Sequence, residues 1–309
     1  MSDEIINFRG DPLLQSDAVV LQELESIIGE RFKLVRQIQQ GVRLSFTIED
    51  FRISGLSIYK VKIEELPGSI GNLIMLKKLH IVGNTMSIKN EFGLEELPLS
   101  IGDLIMLKDL NLYANTLVEL PDSIGQLKKL KYLNLSGNYL RKLPESIGGL
   151  KSLEVLKLRW NQLKSLPESI GNLKKLRFLL LASNQLDSLP ISIGKLNSLM
   201  EFYLSDNQLI SLPEALGNLN SLELLSLSSN NLNSLPESIG NLESLIKLDL
   251  SDNNISSLPE SIGNLKSLRM LLLYQIPLTS IPKSIEKLKK QGTTITNLYI
   301  RDYINDSES

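Results

Sequence analysis

Seven asparagines recur through the middle of the chain, and each follows the previous one by 23 residues. They are Asn115, Asn138, Asn161, Asn184, Asn207, Asn230 and Asn253. Each lies in the pattern L-x-x-L-x-L-x-x-N-x-L, and residues 130–140 are one example of it. A period of this length indicates units that stack on one another, because a single unit cannot bury its own leucines. The pattern therefore predicts one elongated solenoid rather than the two globular domains that length alone would suggest.

The chemistry of the pattern predicts the course of each coil, the name used here for one repeat. In the short x-L-x-L strand the leucines point into the core, and the alternate residues point to the opposite, concave surface. The asparagine side chain carries an acceptor and a donor, so it can satisfy main-chain groups of neighbouring coils at the tight turn. A Leu-Pro step and a helical turn follow, as in residues 166–173. The predicted fold class is α/β, with a curved parallel sheet on the concave side and short helical or 3-10 turns on the convex side.

The coils at both ends of the series depart from it. Val61 replaces the asparagine in the first coil and Ile276 replaces it in the tenth, as expected of terminal coils. Asn84 stands 31 residues before Asn115, and the eight extra residues predict a loop insertion around residues 85–93.

Eleven strands are predicted in the solenoid. The last strand is predicted from Ile295, Leu298 and Ile300, which keep the leucine spacing after a slightly longer connection. The strand centres are expected near residues 56, 79, 110, 133, 156, 179, 202, 225, 248, 271 and 298.

Residues 1–52 do not follow the repeat. Apolar side chains at helical spacing in residues 16–28 predict an amphipathic helix that ends at Gly29. Residues 42–48 and 51–58 have the composition of two strands joined by a turn.

These features divide the chain into three predicted segments. Residues 1–52 are an α+β N-terminal cap made of a helix and a β-hairpin, residues 53–300 are the solenoid, and residues 301–309 are a C-terminal tail. A solenoid needs its open end covered, so capping is the expected role of the first segment. A separate binding function for its helix is the alternative.

The composition excludes several function classes. Lys plus Arg is 33 and Asp plus Glu is 35, and the resulting net charge of −2 gives no general attraction to nucleic acid or to an anionic membrane. Cysteine is absent, which rules out a disulfide framework and fits a reducing compartment. The sequence shows neither a signal-peptide pattern nor a run of about eighteen apolar residues. We expect a soluble, cytoplasmic, monomeric protein.

The sequence predicts no enzyme activity, no cofactor and no metal site. His80 is the only histidine and is expected to be an exposed polar residue, and without cysteine no zinc cluster of His and Cys can form. Glu201, Asp206, Asp249 and Asp252 are expected to form a solvated acidic rim, because hard cations need convergent oxygens. A second column, also expected to be solvated, follows the Leu-Pro steps and consists of Glu145, Glu168, Glu214, Glu237 and Glu260.

The candidate binding residues occupy the third, fifth, seventh and eighth positions of the pattern, where equivalent side chains of adjacent coils lie about 4.8 Å apart. Trp160 is the only tryptophan, at an eighth position that the other coils between residues 83 and 275 fill with Gly, Ala, Ser, Asp or Gln. It belongs to a group of aromatic, apolar and basic residues of the kinds that dominate interface hot spots. The predicted partner-binding residues are Tyr113, Tyr132, Val155, Lys157, Arg159, Trp160, Phe178, Leu180 and Tyr203. The alternative is that these side chains pack on one another across strands and only stiffen the sheet.

The segment L-P-E-S-I-G-N-L-K-S-L at residues 258–268 resembles the intracellular leucine-rich repeat family with a 23-residue period. That family includes plant Ras-group-related repeat proteins and Ras-binding scaffold proteins of the SHOC-2 type. The resemblance covers about residues 53–282, and the combination with a short cap is also similar to archaeal leucine-rich repeat proteins. It implies protein binding, often in signalling and sometimes to small GTPases. The matching positions are structural, so the resemblance assigns no binding residue to this chain.

The favoured function is therefore a non-enzymatic scaffold or adaptor that binds another protein on its central concave strands, with a small GTPase as the partner that the resemblance implies. One alternative is carbohydrate or other small-ligand binding through the same aromatic residues, although a flat repeat surface lacks an enclosed pocket. Another is a purely structural or self-associating protein.

Overall fold

The structure, a computed structural model, describes residues 4–39, 41–83 and 93–296. Unit 1 consists of Met1–Leu163 and Ser169–Leu176, and unit 2 consists of Lys164–Glu168 and Arg177–Ser309. Each unit is described by itself.

The first elements of unit 1 are a hairpin and a helix. Strands β1 (Ile5–Phe8) and β2 (Asp11–Leu14) pair antiparallel, and helix α1 (Gln15–Ile28) follows directly. The helix ends at Gly29, whose φ of 77° is the left-handed conformation that a helix C-terminus commonly needs. The predicted helix is thus confirmed. The β1–β2 hairpin was not predicted, because no Asn-Gly or Asp-Gly pair marks its turn.

Helix α1 is tied to the first repeat strand through a buried carboxylate. Asp17 is fully buried, and its Oδ2 accepts a hydrogen bond of 2.7 Å from the main-chain N–H of Ile53. Its Oδ1 lies 3.1 Å from Nη1 of Arg52. A buried charge is tolerated only when it is paired and hydrogen-bonded in this way, so these contacts fix how the helix meets the strand.

Three strands follow the helix. They are β3 (Lys33–Leu34), β4 (Leu44–Glu49) and β5 (Arg52–Tyr59), and β4 pairs antiparallel with β5. The two strands predicted here are confirmed, except that Phe51 belongs to the turn. Asp50 and Phe51 have φ values of 50° and 61°, as a two-residue hairpin turn of type I′ requires.

The remaining strands of unit 1 are repeat strands in parallel register with β5. They are β6 (Lys78–Val82), β7 (Asp109–Asn111), β8 (Tyr132–Asn134) and β9 (Val155–Lys157). The register aligns one fully buried leucine from each strand: Leu56, Leu79, Leu110, Leu133 and Leu156.

Short 3-10 helices lie on the other side of the coils of unit 1. Four of them are Gly68–Asn72, Leu99–Asp103, Asp122–Gln126 and Glu145–Gly149. A fifth, Glu168–Asn172, contains residues assigned to both units. In each, the isoleucine of the Ser-Ile-Gly step is fully buried, so the helical turn supplies the second wall of the core, as predicted.

Unit 2 repeats the same arrangement. Its strands are β10 (Phe178–Leu180), β11 (Glu201–Tyr203), β12 (Leu224–Ser226), β13 (Lys247–Asp249), β14 (Met270–Leu272) and β15 (Thr294–Thr296), paired in parallel. Its 3-10 helices are Ile191–Lys195, Glu214–Asn218, Glu237–Asn241 and Glu260–Asn264, and helix α2 (Ile285–Lys290) precedes β15.

The prediction for the last strand was wrong in register. Ile295, not Leu298, lies opposite Leu271, so the strand comes three residues earlier than expected. Helix α2 takes the place of the usual 3-10 turn in this coil. Leu298, Ile300 and the predicted tail at 301–309 lie outside the described residues, as do Asn84 and most of the predicted insertion.

Buried asparagines join consecutive coils, as their side-chain chemistry predicted. In unit 2, Nδ2 of Asn230 donates to the carbonyls of Leu204 and Leu227, each at 3.0 Å, and Oδ1 accepts from the N–H of Leu209 at 3.1 Å. Leu204 and Leu209 belong to the preceding coil. One side chain thus satisfies main-chain groups of two coils that water cannot reach.

The architecture of parallel strands, 3-10 turns and stacked repeats is the predicted solenoid. The division into a cap at 1–52, a solenoid at 53–300 and a tail stays a prediction. None of the described helices is long and apolar enough to cross a membrane.

Candidate functional site

The strand face is the surface formed by the third, fifth, seventh and eighth residues of each coil. In β8, Tyr132 and Asn134 point to this face while Leu133 between them is fully buried. Register pairing places Tyr132 beside Val155 of β9 and Asn134 beside Lys157. The strand face is therefore an ordered grid of side chains whose spacing is fixed by the sheet.

Six of the nine predicted binding residues lie on the strand face of unit 1. Tyr132 and Lys157 are in contact, since Nζ of Lys157 lies 5.2 Å from the centre of the tyrosine ring. Trp160 is 55% exposed, whereas the other five are half-buried. These five are Tyr113, Tyr132, Val155, Lys157 and Arg159.

Trp160 has a left-handed backbone, with φ of 55°. The eighth residue of the two preceding coils is also left-handed, at 58° for Ala114 and 69° for Gly137. The same conformation recurs at the eighth position of unit 2, in Ser183, Asp206, Ser229, Asp252 and Gln275. The turn before each of the seven evenly spaced asparagines imposes it, and this explains the small or polar residues that the sequence shows at most of these positions. The sequence showed that Trp160 departs from the small or polar residues at this position, but not that a left-handed backbone is the reason for those residues.

A bulky residue in this conformation is costly, by about 1–2 kcal/mol for an L-residue. The indole of Trp160 does not recover that cost by entering the core, because more than half of the residue is exposed. Nor is it needed to close the turn, since Ala and Gly make the same turn in neighbouring coils. These facts weigh against a purely structural role for Trp160.

The other three predicted residues lie together on the strand face of unit 2. Register pairing sets Phe178 beside Glu201 and Leu180 beside Tyr203. The hydroxyl of Tyr203 donates to Glu201 at 2.8 Å, and the Arg177 guanidinium lies 5.5 Å from the Phe178 ring centre. All three are half-buried. The combination of all nine residues into one site stays a prediction.

The strand face of unit 1 also contains a pocket of ≈ 300 Å³ that the sequence did not reveal. Three tyrosines, two lysines, two asparagines and the single histidine contribute most of its polar lining. The lining residues are Gln39, Ser57, Tyr59, Lys60, His80, Val82, Gly83, Asn111, Tyr113, Tyr132, Asn134 and Lys157. It will be called the strand-face pocket.

Only three lining residues, Tyr113, Tyr132 and Lys157, were among the predicted binding residues. Tyr59 and Lys60 hold the seventh and eighth positions of the first coil, so the repeat pattern could have identified them. No sequence signal could have identified Gln39, because it comes from the non-repeating segment before β4.

His80 is less exposed than expected. Its side chain is 19% exposed, and Nε2 lies 3.1 Å from Oδ2 of Asp109 on the adjacent strand. His80 thus lies beside this carboxylate in the wall of the strand-face pocket.

A second groove of unit 1, of ≈ 850 Å³, is lined mainly by acidic and apolar side chains. Exposed Ile27 and Val118 contribute its apolar surface, and Lys62 is paired with Glu64 at 2.9 Å. Its acidic lining residues are Glu64, Glu65, Glu95, Glu96 and Glu119. Across the described ranges, no three His, Asp or Glu side chains are placed to hold a metal ion.

The glutamates that follow the Leu-Pro steps are exposed, as expected, but several also link coils. Glu214 accepts a hydrogen bond of 3.0 Å from the N–H of Ser238 in the next 3-10 helix. Glu260 accepts two of 3.0 Å, from the N–H groups of Lys283 and Ser284. Hydrogen bonding by Ser238, chiefly by the serine side chain, lowers the pKa of Glu214. The main-chain hydrogen bonds from Ser284 and, to a smaller extent, from Lys283 lower the pKa of Glu260. These glutamates act as caps for the following coil.

The family described as leucine-rich repeat region matches residues 86–157, 122–207, 155–231 and 207–291, which together make up more than half of the chain. No curated protein sequence matches the chain. Solved structures do match. A leucine-rich repeat protein of Leptospira interrogans is 36% identical with a TM-score of 0.59, over 76% of this chain and 63% of that one.

Two plant receptors are also similar. The leucine-rich repeat ectodomain of the Arabidopsis thaliana membrane receptor kinase GASSHO1/SCHENGEN3, solved with CASPARIAN STRIP INTEGRITY FACTOR 2, is 34% identical with a TM-score of 0.63, over 75% of this chain and 28% of that one. The plant peptide hormone receptor RGFR1, solved with RGF2, is 32% identical with a TM-score of 0.66, over 78% and 39%. The chain spans less than two thirds of the length of each of these three proteins.

The family match, the 23-residue period and the buried asparagines that join parallel strands all lead to the same assignment. This chain belongs to the leucine-rich repeat region family.

Proposed function

We propose that the chain is a non-enzymatic binding scaffold, and that the strand face of unit 1 docks a protein or peptide partner. The observation that carries this proposal is Trp160, an exposed tryptophan in a left-handed turn where a small residue would suffice. Tryptophan combines a large apolar surface with a donor and is among the residues most enriched in interface hot spots. Leucine-rich repeat proteins generally mediate protein–protein interaction, which supports the same proposal.

The solved relatives support a peptide or protein as the ligand class. Two of them are plant receptors, one solved in complex with RGF2 and the other with CASPARIAN STRIP INTEGRITY FACTOR 2. In this chain, Tyr113 and Tyr132 line the strand-face pocket, and Trp160 occupies a position of the same strand face. We propose that these three residues form the anchor of the interface and that Arg159 and Lys157 form part of its polar border.

The resemblance to the intracellular repeat family supports more specific proposals about location, role and partner. They are a cytoplasmic location, a monomeric adaptor role in signalling, and a small GTPase as partner. The three residues on the strand face of unit 2, Phe178, Leu180 and Tyr203, belong to the same proposal. The alternative ligand is a carbohydrate or another small molecule, for which the three tyrosines of the strand-face pocket are the favouring observation.

The test compares three forms of the full chain as immobilised baits: wild type, Trp160→Gly and Tyr139→Ala. Tyr139 is a matched control because it is an exposed aromatic residue of unit 1 outside the four strand-face positions. Proteins captured from source cells are quantified by mass spectrometry, with GDP or a non-hydrolysable GTP analogue present. A candidate partner is then purified and its Kd measured against each form.

A partner that binds wild type and Tyr139→Ala equally, but Trp160→Gly at least about tenfold more weakly, supports the proposal, since a hot-spot residue contributes about 2 kcal/mol or more. Dependence on the GTP analogue would identify a small GTPase. Equal Kd values for all three forms would show that the strand face of unit 1 is not the docking surface.

A further inference from the structure

The strand-face pocket presents cations at its two ends. Lys60 belongs to the first coil, and its Nζ lies 5.4 Å from the Tyr59 ring centre. Lys157 belongs to β9, and its Nζ lies 5.2 Å from the Tyr132 ring centre. No described carboxylate forms an ion pair with either lysine. The ring faces hold both ammonium groups in place and leave their N–H groups able to donate.

Between the lysines the pocket offers two oriented amides. Oδ1 of Asn111 accepts from the N–H of Tyr113 at 3.2 Å, and Oδ1 of Asn134 accepts from the N–H of Ser136 at 3.1 Å. Because the oxygens are engaged by the main chain, each asparagine presents its amide N–H groups to the pocket. Asn111 and Asn134 lie side by side in register on β7 and β8, so the two amides form a donor pair.

The remaining polar residues of the pocket lining add no negative charge. Among the residues that line the pocket, none is Asp or Glu. Asp109, whose Oδ2 lies 3.1 Å from Nε2 of the lining residue His80, does not itself line the pocket. Five glutamates of unit 1 line the separate groove instead. The strand-face pocket is thus positively charged and rich in donors, which suits a ligand that carries negative charge and acceptors.

The distance between the two lysines determines how far apart the negatively charged groups of the ligand must lie. Four strand-to-strand steps separate the first coil from β9, or about 19 Å at about 4.8 Å per step, and Lys60 lies three positions further along its coil than Lys157, or about 10 Å. An extended chain covers about 3.3 Å per residue, and each lysine side chain reaches several ångströms inward. Two carboxylates about three to six residues apart in an extended segment therefore reach the two ammonium groups, with main-chain carbonyls above the asparagine amides.

We infer that the strand-face pocket binds an extended acidic segment of the partner, with one Asp or Glu side chain at Lys60 and another at Lys157. This inference rests on the proposed function and names the chemistry of the ligand. Trp160 then contacts an apolar residue of the same partner beyond the Lys157 end.

The experiment pans a phage-displayed library of random 12-residue peptides against the immobilised full chain. The displayed peptides are fused at their C-termini, so any carboxylate they contribute is a side chain. Three forms are panned in parallel: wild type, Lys60→Gln/Lys157→Gln, and the control Lys129→Gln/Lys142→Gln. The control removes the same charge from exposed lysines of unit 1 that do not line the pocket.

The expected result is that wild type and the control enrich peptides with two acidic residues three to six positions apart. A synthetic peptide from this set should bind Lys60→Gln/Lys157→Gln about five- to tenfold more weakly, the magnitude expected of two partly exposed ion pairs. Replacing both acidic residues of the peptide by Asn or Gln should give a similar loss on wild type and little further loss on the variant, because coupled partners are not additive. Raising the salt concentration should weaken only the acidic peptide.

Acidic peptides that bind the pocket variant as tightly as wild type would overturn the inference. So would enriched peptides that have no excess of Asp or Glu. If such peptides lose affinity for Trp160→Gly, the docking proposal stands and only the acidic ligand class is wrong. If wild type retains no peptide above the level of an unrelated immobilised protein, the inference fails, and the docking proposal is decided separately by the capture experiment with Trp160→Gly.

Discussion

The side-chain amide of Asn138 donates a hydrogen bond of 3.0 Å to the main-chain carbonyl of Leu112 in the preceding coil. The same nitrogen donates to the carbonyl of Leu135 at 2.9 Å, and Oδ1 accepts from the N–H of Leu117 at 3.1 Å. Asn138 is 3% exposed, so none of these three groups has water as a substitute partner. The bonds explain why an amide recurs at this position of the pattern, since a carboxylate lacks the donor and an apolar side chain lacks both groups.

Replacing Asn138 by Leu should lower the free energy of unfolding by about 1–3 kcal/mol, because it leaves the buried N–H of Leu117 without a partner. It also removes one of the two amide donors from the carbonyls of Leu112 and Leu135, which keep their bonds from Asn115 and Asn161. Urea denaturation followed by circular dichroism measures this loss. Asn172→Ala is the matched control, since Asn172 is an exposed asparagine of unit 1 and should change stability by less than about 0.5 kcal/mol. Equal effects of the two changes would contradict the role assigned to Asn138.

Trp160→Gly should leave stability within about 1 kcal/mol of wild type, because glycine relieves the left-handed strain while its own chain entropy opposes the gain. Gly137 shows that glycine fits this turn, with φ of 69° at the equivalent position. Thermal unfolding of the variant gives the result directly. A Tm lower by more than about 8 °C would mean that the indole has a structural role, and the docking proposal would lose its main support.

Gly148→Ala should destabilise the chain by about 1–3 kcal/mol through overpacking between coils. A Cβ at this glycine would lie 2.5 Å from the main-chain oxygen of Ser169 in the next 3-10 helix, and main chain cannot move aside cheaply. Gly68→Ala is the control: a Cβ at Gly68 meets nothing within 4 Å, and the change should be neutral or stabilising by up to about 1 kcal/mol. Urea midpoints that move equally in both variants would refute the steric argument.

Acid should weaken unit 2 through the glutamates that link its coils. The pKa of Glu214 and the pKa of Glu260 are lowered in the folded state, so their contribution is fully present above the ordinary pKa of 4.5 and is lost as the pH falls through the lower folded value. The Tm of Glu214→Gln/Glu260→Gln should therefore lie below that of wild type at neutral pH and approach it below about pH 4.

Glu237→Gln supplies the control for this pH profile. Glu237 occupies the same position of the repeat as Glu214 and Glu260. Its replacement removes one carboxylate but leaves intact the hydrogen bonds that Glu214 and Glu260 accept from the next coil. The pH profile of the double variant is therefore compared with that of Glu237→Gln as well as with that of wild type. A double variant whose Tm stays below that of wild type by the same amount at every pH would show that proton binding to the two glutamates is not the cause.

The repeat made much of the fold predictable from the sequence. The period of the asparagines indicated stacked coils, the strand positions followed from the leucines, and the 3-10 turns followed from the Ser-Ile-Gly step. These predictions succeeded because each depends on contacts between equivalent positions of adjacent coils. Any stacking of such repeats must bury the leucines and satisfy the main-chain groups near each asparagine.

Parts of the candidate site were harder to predict because they depend on main-chain conformation. The left-handed turn at Trp160 explains why Ala114 and Gly137 are small, yet the sequence shows only the residue types. Nor could the sequence show that the side-chain oxygens of Asn111 and Asn134 accept hydrogen bonds from the main chain.

By itself, the sequence determined the solenoid, the inward leucines, the asparagine bonds and Trp160 as an exception, because all of these are set by local spacing and repetition. Only the tertiary structure decided that the last strand pairs through Ile295, that His80 meets Asp109, and that Gln39 reaches the wall of a pocket with Lys60. These features depend on how residues without a common period are brought together by the packing of the chain. A repeat specifies equivalent contacts in every coil, whereas a binding site is formed where one coil differs from the next.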